Sequence, residues 1–239
     1  MKQTFYDAEI VKIIDETNTT KRFFFKVNHL NQFEFKAGQF VMIDLPIDSK
    51  ITYRSYSIAS APDGTNEFEL LIVLNPDGKG TPYLWENIVV GSIVKVAGPV
   101  GKFTLPEELD REVCFLCTGT GIAPLRSMLH DIMNKNKLHY PVKIIFGSRK
   151  KEDLLYYEEM AQLAEQYSQF EFIPVLSRET SDVWSGKTGY VHEVYEYIYA
   201  DKRPCYFYIC GWSAMIKEAR ERLVTLGYTK SDIKFELYD

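Results

Sequence analysis

The chain has 239 residues, of which 46% are hydrophobic and 26% are charged, and its formal net charge is −5. This length and composition are typical of a globular protein with one large or two ordinary domains, and the acidic balance lacks the basic footprint of a nucleic-acid-binding protein. No apolar run is long enough to span a membrane, the N-terminus lacks the apolar core of a secretory signal, and four cysteines do not make a disulfide framework. We therefore expect a cytoplasmic protein that has neither a membrane nor a nucleic acid as its partner.

The first half of the chain consists of short β-prone segments in which apolar residues recur at about every second position. There are six of them: FYDAEIVKIIDET, KRFFFKVNH, QFVMIDLP, RSYSIAS, EFELLIVL and SIVKVAG. Turn-forming clusters such as PDGTN and NPDGKGT separate them. The pattern predicts a six-stranded antiparallel β-barrel as a first domain over residues 1–108.

From Glu112 onward, apolar strand segments alternate with helical patterns, which is typical of a doubly wound parallel sheet. The predicted strands are VCFLC, VKIIFG, FEFIPVL, CYFYIC and IKFELY. This predicts a five-stranded α/β second domain over residues 109–239. Pro174 favours an edge position for the third strand. Ser213 and Gly227 are the expected N-cap and stop of the last helix.

Cys114 and Cys117 form a C-x-x-C, a spacing that can hold a metal or act as a redox dithiol. Both lie in a predicted buried strand, where residues three apart point to opposite faces. We therefore expect two free core cysteines and no metal site.

The segment TGTGIAP follows a strand and opens a helix, which is the context that a phosphate-binding turn requires. Gly119 and Gly121 would let a ligand approach the backbone, and Pro124 suits the first helical turn. In a doubly wound sheet the ligand binds where strands one and four end, here at Cys117–Gly121 and Cys210–Gly211. A purely structural turn is the alternative.

TGTGIAPLRSM resembles the nicotinamide-nucleotide turn of the ferredoxin–NADP reductase family. Further segments resemble motifs of that family in the same order along the chain. They are FKAGQFVMIDLP, RSYS at Arg54–Ser57, GKGT at Gly78–Thr81, VAGPVGKFTL, CGWSAM at Cys210–Met215 and ELY at Glu236–Tyr238. The resemblance implies a flavin-binding barrel followed by an NAD(P)-binding α/β domain.

On the flavin side, the resemblance implies that Arg54 and the GKGT amides grip a pyrophosphate, which favours FAD over FMN. Tyr56 would pack on the isoalloxazine ring, Ser57 would bond flavin N5, and Tyr238 would cover the ring. The implied FAD-binding residues are Arg54, Ser55, Tyr56, Ser57, Ile72, Gly78, Lys79, Gly80, Thr81 and Tyr238.

On the nucleotide side, the resemblance places the nicotinamide at the ends of the two central strands. The implied catalytic residues are Ser57, Cys210 and Glu236, with Cys210 lining the hydride path. The implied nucleotide-binding residues are Thr118, Gly119, Gly121, Pro124, Ser148, Arg149, Arg178, Lys187, Cys210, Gly211 and Met215.

NADP(H) is the expected nucleotide, in preference to NAD(H). NAD-binding folds place an acid near the end of the second strand, whereas here VKIIFG is followed by SRKK, and the third strand ends in SRE. Charged hydrogen bonds to a 2′-phosphate would contribute roughly 1.5–3 kcal/mol each. Solvated loop charges are the alternative reading.

The predicted activity is an FAD-dependent NAD(P)H oxidoreductase that passes electrons to a ferredoxin, a flavodoxin or an oxygenase component. The sequence has no C-x₄-C-x₂-C motif, so an iron–sulfur centre would belong to that partner. One alternative is a flavin reductase that uses free flavin as its substrate. Another is a non-catalytic sensor that binds a nucleotide or a metal.

Overall fold

The computed structural model describes residues 4–48, 50, 52–180 and 182–238. The chain divides into two compact units. The first comprises the chain up to Leu105 together with Arg126–Asp131, and the second comprises Pro106–Leu125 and the chain from Ile132 onward.

The first unit is a six-stranded antiparallel sheet. Its elements are β1 (Phe5–Thr17), β2 (Thr20–Val27), β3 (Phe40–Asp44), β4 (Tyr53–Ser57), β5 (Glu67–Val73), α1 (Gly80–Asn87) and β6 (Ile93–Val100). The strand order is β4-β3-β6-β1-β2-β5. An antiparallel bridge between Ile58 and Leu70 links the two ends of this order, next to β4 and within β5, so the sheet closes as the predicted barrel. The barrel prediction is confirmed.

Period-two patterning fills the barrel with aromatic and branched side chains. In β2, Phe23, Phe25 and Val27 are buried, whereas Lys26 is exposed. Phe25 stacks on Phe68 of β5 with ring centroids 5.0 Å apart. Because alternate side chains of a strand face opposite sides, the same residues that make this segment β-prone also supply the core.

The second unit is a parallel sheet with helical crossovers. Its elements are β7 (Glu112–Thr118), α2 (Ile122–Asn134), β8 (Val142–Ser148), α3 (Tyr157–Gln166), β9 (Phe170–Leu176), β10 (Lys187–Thr188), α4 (Val191–Ile198), β11 (Cys205–Gly211), α5 (Ser213–Leu226) and β12 (Ile233–Leu237), except that residues Arg126–Asp131 of α2 group with the first unit. The order β10-β9-β8-β7-β11-β12 puts β7 beside β11, as the doubly wound prediction requires.

Two details of the prediction are wrong. The sheet has six strands rather than five, because the short β10 pairs with Val175 and Leu176 and makes β9 an inner strand. Pro174 lies one residue before that pairing begins, so its missing amide removes no ladder bond to β10. Ser213 is the first residue of α5 rather than its cap, whereas Gly227, at φ +113°, ends the helix as predicted.

Among the helices of the described residues, none is both long enough and apolar enough to cross a membrane.

Candidate flavin and nucleotide sites

In the first unit, Arg54 of β4 lies against Gly80, the first residue of α1. A Cβ on Gly80 would lie 3.0 Å from the Cγ atom and 3.4 Å from the Nε atom of Arg54. The guanidinium also donates from Nη1 to the carbonyl oxygen of Tyr53 at 3.0 Å. The fold thus brings the RSYS and GKGT motifs together, although they belong to different elements.

GKGT is not an ordinary hairpin loop but the entry to a helix. Gly80 and Thr81 are the first two residues of α1, and the first intrahelical bond runs from the amide of Tyr83 to the carbonyl oxygen of Lys79 at 3.4 Å. The amides before Tyr83 therefore lack intrahelical acceptors, and the helix dipole gives this end a partial positive charge. The first turn has no acidic residue, and Arg54 adds a cation. This donor set fits a pyrophosphate.

Other polar groups of the GKGT turn, in its backbone and side chains, have hydrogen-bond partners within the first unit. The hydroxyl of Thr81 accepts from the amide of Asn75 at 2.8 Å, and the amide of Gly78 donates to the carbonyl oxygen of Asn75 at 3.0 Å. The Nζ atom of Lys79 donates to the carbonyl oxygen of Asp48 at 2.5 Å. These contacts fix the shape of the turn that leads into α1.

Arg54 and Tyr56 point to the same side of β4, because residues two apart in a strand share a face. Burial raises the pKa of the Tyr56 phenol to about 12, although the charge of Arg54 acts in the opposite direction. Ser55 is exposed and Ser57 is buried at the end of the strand. The side chain of Ile72, another predicted FAD-binding residue, is 1% exposed and packs in the barrel core.

In the second unit, β7 ends at Thr118, and Gly119–Gly121 form a single 3₁₀ turn before α2 begins. The two glycines do different things. A Cβ on Gly121 would lie 2.6 Å from the amide nitrogen of Gly211, so Gly121 allows close backbone packing. Gly119 has φ +53°, and within the described part of the chain the one neighbour within 4 Å of its Cβ position is Nε1 of Trp212 at 3.8 Å. The backbone at Gly119 is therefore open to a ligand.

The ends of β7 and β11 are joined through Thr118. Its Oγ1 atom accepts from the amide of Trp212 at 3.0 Å. Gly211 has φ +134°, and a Cβ there would lie 2.6 Å from the carbonyl oxygen of Thr118. Pro124 is buried in the first turn of α2. Met215 faces the hydrophobic core from α5, so its side chain belongs mainly to the packing beneath the site.

Cys210, the residue predicted to line the hydride path, is fully buried at the end of β11. Burial raises the pKa of this thiol, the charge of Glu236 raises it further, and a hydrogen bond with Tyr238 lowers it. Glu236 is the register partner of Cys210 in β12. The hydroxyl of Tyr238 also donates to the carbonyl oxygen of Thr120 at 3.5 Å. Tyr238 therefore contacts both predicted nucleotide segments of this unit.

The ends of β8 and β9 bring two arginines into neighbouring positions. The amide of Arg178 donates to the carbonyl oxygen of Arg149 at 2.9 Å, and the amide of Ser177 donates to that of Ser148 at 3.0 Å. Arg149 and Arg178 are both exposed, and Lys187 is exposed on the adjoining β10. The predicted cationic residues thus share one edge of the sheet. Trp212, whose ring lies 5.6 Å from the guanidinium of Arg149, was not among the predicted site residues, because within CGWSAM no spacing distinguishes it.

The C-x-x-C is a core feature, as predicted. Cys114 and Cys117 are free and buried, and burial raises the pKa of each thiol well above its ordinary value. Among the described residues, no three His, Cys, Asp or Glu side chains cluster in a way that could hold a metal ion.

Comparison with known proteins agrees with this arrangement. Residues 7–105 match the oxidoreductase FAD-binding domain, and residues 115–221 match the oxidoreductase NAD-binding domain. The chain is 32% identical to ferredoxin–NADP reductase B of Sorangium cellulosum over 98% of both chains. The chain belongs to the ferredoxin–NADP reductase family. It is an FAD-dependent oxidoreductase of this type, with binding domains for FAD and for NAD(P).

Two other proteins that the chain resembles are longer than it is. The chain is 29% identical to the glycine betaine monooxygenase reductase subunit of Chromohalobacter salexigens over 95% of its own length, and it spans 62% of that protein. The crystal structure of a cytochrome P450 reductase from Amycolatopsis superposes with a TM-score of 0.88 at 26% identity, covering 99% of this chain and 71% of that one. The chain thus covers nearly the whole of ferredoxin–NADP reductase B but only about two thirds of these longer proteins.

Proposed function

We propose that this enzyme holds FAD tightly, reduces it with NADPH and delivers the electrons to a redox protein. The observation that carries the proposal is the contact between Arg54 and the start of α1, where a cation and free helix-terminal amides would together bind a pyrophosphate. A reductase that releases its flavin after each turnover has no need of such a grip. Bound FAD would accept a hydride and release electrons singly or in pairs.

The residues of the chain would bind and orient the two cofactors. Arg54 and the amides at the start of α1 would hold the FAD pyrophosphate, and Tyr56 would support the isoalloxazine ring. Ser57 would donate a hydrogen bond to flavin N5. In the second unit, the open backbone at Gly119 would receive the nucleotide phosphates. Holding both rings in a reactive geometry is the main catalytic contribution of the protein.

We assign Cys210 and Glu236 to the nicotinamide end of the nucleotide site, because β11 and β12 end there in register. Tyr238 contacts the same place through Thr120, so its proposed role is to cover the site. The buried thiol of Cys210 would act as a packing surface rather than as a nucleophile, since its raised pKa keeps it protonated at neutral pH.

The preference for NADP(H) over NAD(H) is part of the proposal. It rests on Arg149 and Arg178, whose backbones are bonded at the strand ends, and on Lys187 beside them. Replacing Arg178 with Ala should weaken NADPH binding about tenfold and leave NADH binding nearly unchanged. Arg178→Lys, which keeps the charge but loses the bidentate fork, is the matched control and should lose less. Equal weakening of both nucleotides by Arg178→Ala would refute the assignment.

The electron acceptor is proposed from the relatives. One is named a ferredoxin–NADP reductase and others are reductase components of oxygenases, so a ferredoxin, a flavodoxin or an oxygenase component is the expected class of acceptor. Reduction of cytochrome c by NADPH should depend on adding such a carrier. If free flavin supports the reaction as well as any protein carrier does, the proposed acceptor class is wrong.

The first test of the function is a visible absorption spectrum of the purified protein, followed by anaerobic addition of NADPH. We expect a bound flavin spectrum that bleaches within seconds. A colourless protein that oxidises NADPH only with added flavin would favour a flavin reductase. Bound flavin that NADPH does not reduce would favour a non-catalytic nucleotide-binding protein.

A further inference from the structure

Trp212 is a large aromatic residue that no predicted role uses. It follows β11 directly and precedes the first residue of α5, and it is 63% exposed. Its backbone is fixed, because its amide donates to Oγ1 of Thr118 at 3.0 Å. Single exposed aromatics are common on protein surfaces, so exposure alone assigns no role. Its neighbours do.

The indole ring of Trp212 lies close to two parts of the proposed nucleotide site. Its Nε1 atom is 3.8 Å from the Cβ position of Gly119, where the turn is open to a ligand. Its ring centroid is 5.6 Å from the guanidinium carbon of Arg149, within the range of a cation–π contact. Arg149 belongs to the end of β8, whereas Gly119 belongs to the turn after β7. The indole therefore lies close to both residues, although they belong to different segments.

We propose that Trp212 is a positioning residue for nucleotide binding, which holds the guanidinium of Arg149 beside the phosphate-binding turn. An exposed arginine otherwise samples many rotamers, and ordering it on binding weakens the affinity. A cation–π contact at an exposed position should offset this by about two- to fivefold in affinity. The group that Arg149 then meets is a phosphate of the dinucleotide, either the 2′-phosphate or the pyrophosphate.

This inference rests on the proposed nucleotide site. Trp212 differs in exposure from the other two tryptophans, Trp85 and Trp184, which pack against the cores of their units. Because the bond between the Trp212 amide and Thr118 uses only backbone atoms of Trp212, side-chain substitutions leave the junction of β7 and β11 intact. A change in affinity can therefore be separated from a change in fold.

The test is a double-mutant cycle on holoenzyme with bound FAD, read by calorimetry with NADP⁺, 2′-phospho-AMP and ADP. Trp212→Leu removes the ring, and Trp212→Phe keeps a ring without the indole N–H. We expect Trp212→Leu to weaken NADP⁺ binding two- to fivefold and Trp212→Phe to weaken that binding less. On an Arg149→Ala background, Trp212→Leu should cause no further loss, because its effect passes through Arg149.

The two fragments identify the phosphate. If Trp212→Leu weakens the binding of 2′-phospho-AMP alone, Arg149 lies at the 2′-phosphate. If it weakens the binding of ADP as well, Arg149 lies at the pyrophosphate. Either result supports positioning by Trp212. Unchanged affinity in Trp212→Leu, or a full loss on the Arg149→Ala background, would overturn the inference while leaving the proposed function standing. A wild-type enzyme that binds no NADP⁺ would overturn both. FAD content and melting temperature, expected to be unchanged in every variant, are the controls for folding.

Discussion

Gly121 packs against the end of β11 so closely that a Cβ there would lie 2.6 Å from the amide nitrogen of Gly211 and nearer still to the carbonyl oxygen of Cys210. The turn that opens α2 is thus fitted to the neighbouring central strand by the absence of a side chain. Gly119, two residues earlier, meets no such obstacle. The same turn therefore contains one glycine that allows close packing against β11 and one glycine whose backbone a ligand can approach.

Alanine at each of these glycines should separate the two roles. Gly121→Ala would press a methyl group against the backbone of β11 and should destabilise the protein by about 3 kcal/mol or more. Gly119→Ala has open space but φ +53°, so it should cost only about 1–2 kcal/mol. Gly119→Ala should nevertheless weaken nucleotide binding, because its methyl group occupies the open face. Thermal unfolding and NADP⁺ titration would measure both effects. Equal unfolding losses in the two variants would contradict the division of roles.

Gly80→Ala should weaken FAD binding without unfolding the barrel. The new methyl group would lie 3.0 Å from Cγ of Arg54, so the arginine stem must move away from the start of α1. Alanine is a better helix former than glycine, so stability should be maintained. We expect about a tenfold loss of FAD affinity, measured by apoenzyme titration, and little further loss on an Arg54→Ala background. Gly64→Ala, at φ +81° and with no neighbour among the described residues within 4 Å of its Cβ position, is the control for backbone strain: it should lower stability slightly and leave FAD affinity unchanged.

Glu69 is a buried carboxylate that neutralises two arginines within the first unit. It is 3% exposed, and it accepts from Nε of Arg22 at 2.6 Å and from Nη1 of Arg126 at 3.3 Å. Glu69→Gln keeps the shape but removes the carboxylate charge that faces both guanidinium groups. Arg22 keeps an ion pair with Glu16 at 3.6 Å, so we expect a destabilisation near the lower end of the range for a broken buried pair, about 3 kcal/mol. Glu67→Gln, at an exposed position of the same strand, should change stability by less than about 0.5 kcal/mol in the same urea titration. If the two variants unfold alike, the buried charges are balanced by other groups.

Stability should fall at alkaline pH because burial raises the pKa values of the cysteines. Cys205 is raised from 9.0 to about 12, and Cys114, Cys117 and Cys210 are raised as well. Between pH 9 and 12 the unfolded chain loses thiol protons that the folded chain retains, so the free energy of unfolding decreases as pH rises.

Each such group contributes a slope of up to about 1.4 kcal/mol per pH unit. Cys205→Ala should reduce that slope by up to this amount, measured by urea unfolding at pH 8, 9.5 and 11. A slope that does not change would show that the Cys205 thiol titrates at the same pH in the folded and unfolded chains.

The fold was largely predictable because its signals are local. Alternation in KRFFFKVNH and apolar runs such as CYFYIC each match a strand that the structure contains. The two-residue β10 was missed because Lys187–Thr188 carries no periodicity, and it forms a strand through its pairing with β9. Ser213 was misplaced as a cap because a helix boundary depends on backbone angles that its residue type does not fix.

The sequence by itself determined the two-domain order, the family motifs and the residue types available to each cofactor, since these follow from period, spacing and side-chain chemistry. Only the tertiary structure decided which glycine packs and which stays open, that Ile72 belongs to the barrel core, that Cys210 is buried and that Trp212 meets Arg149. The physical reason is that burial and contact depend on residues distant in sequence, whose positions are set by strand order and register rather than by local pattern.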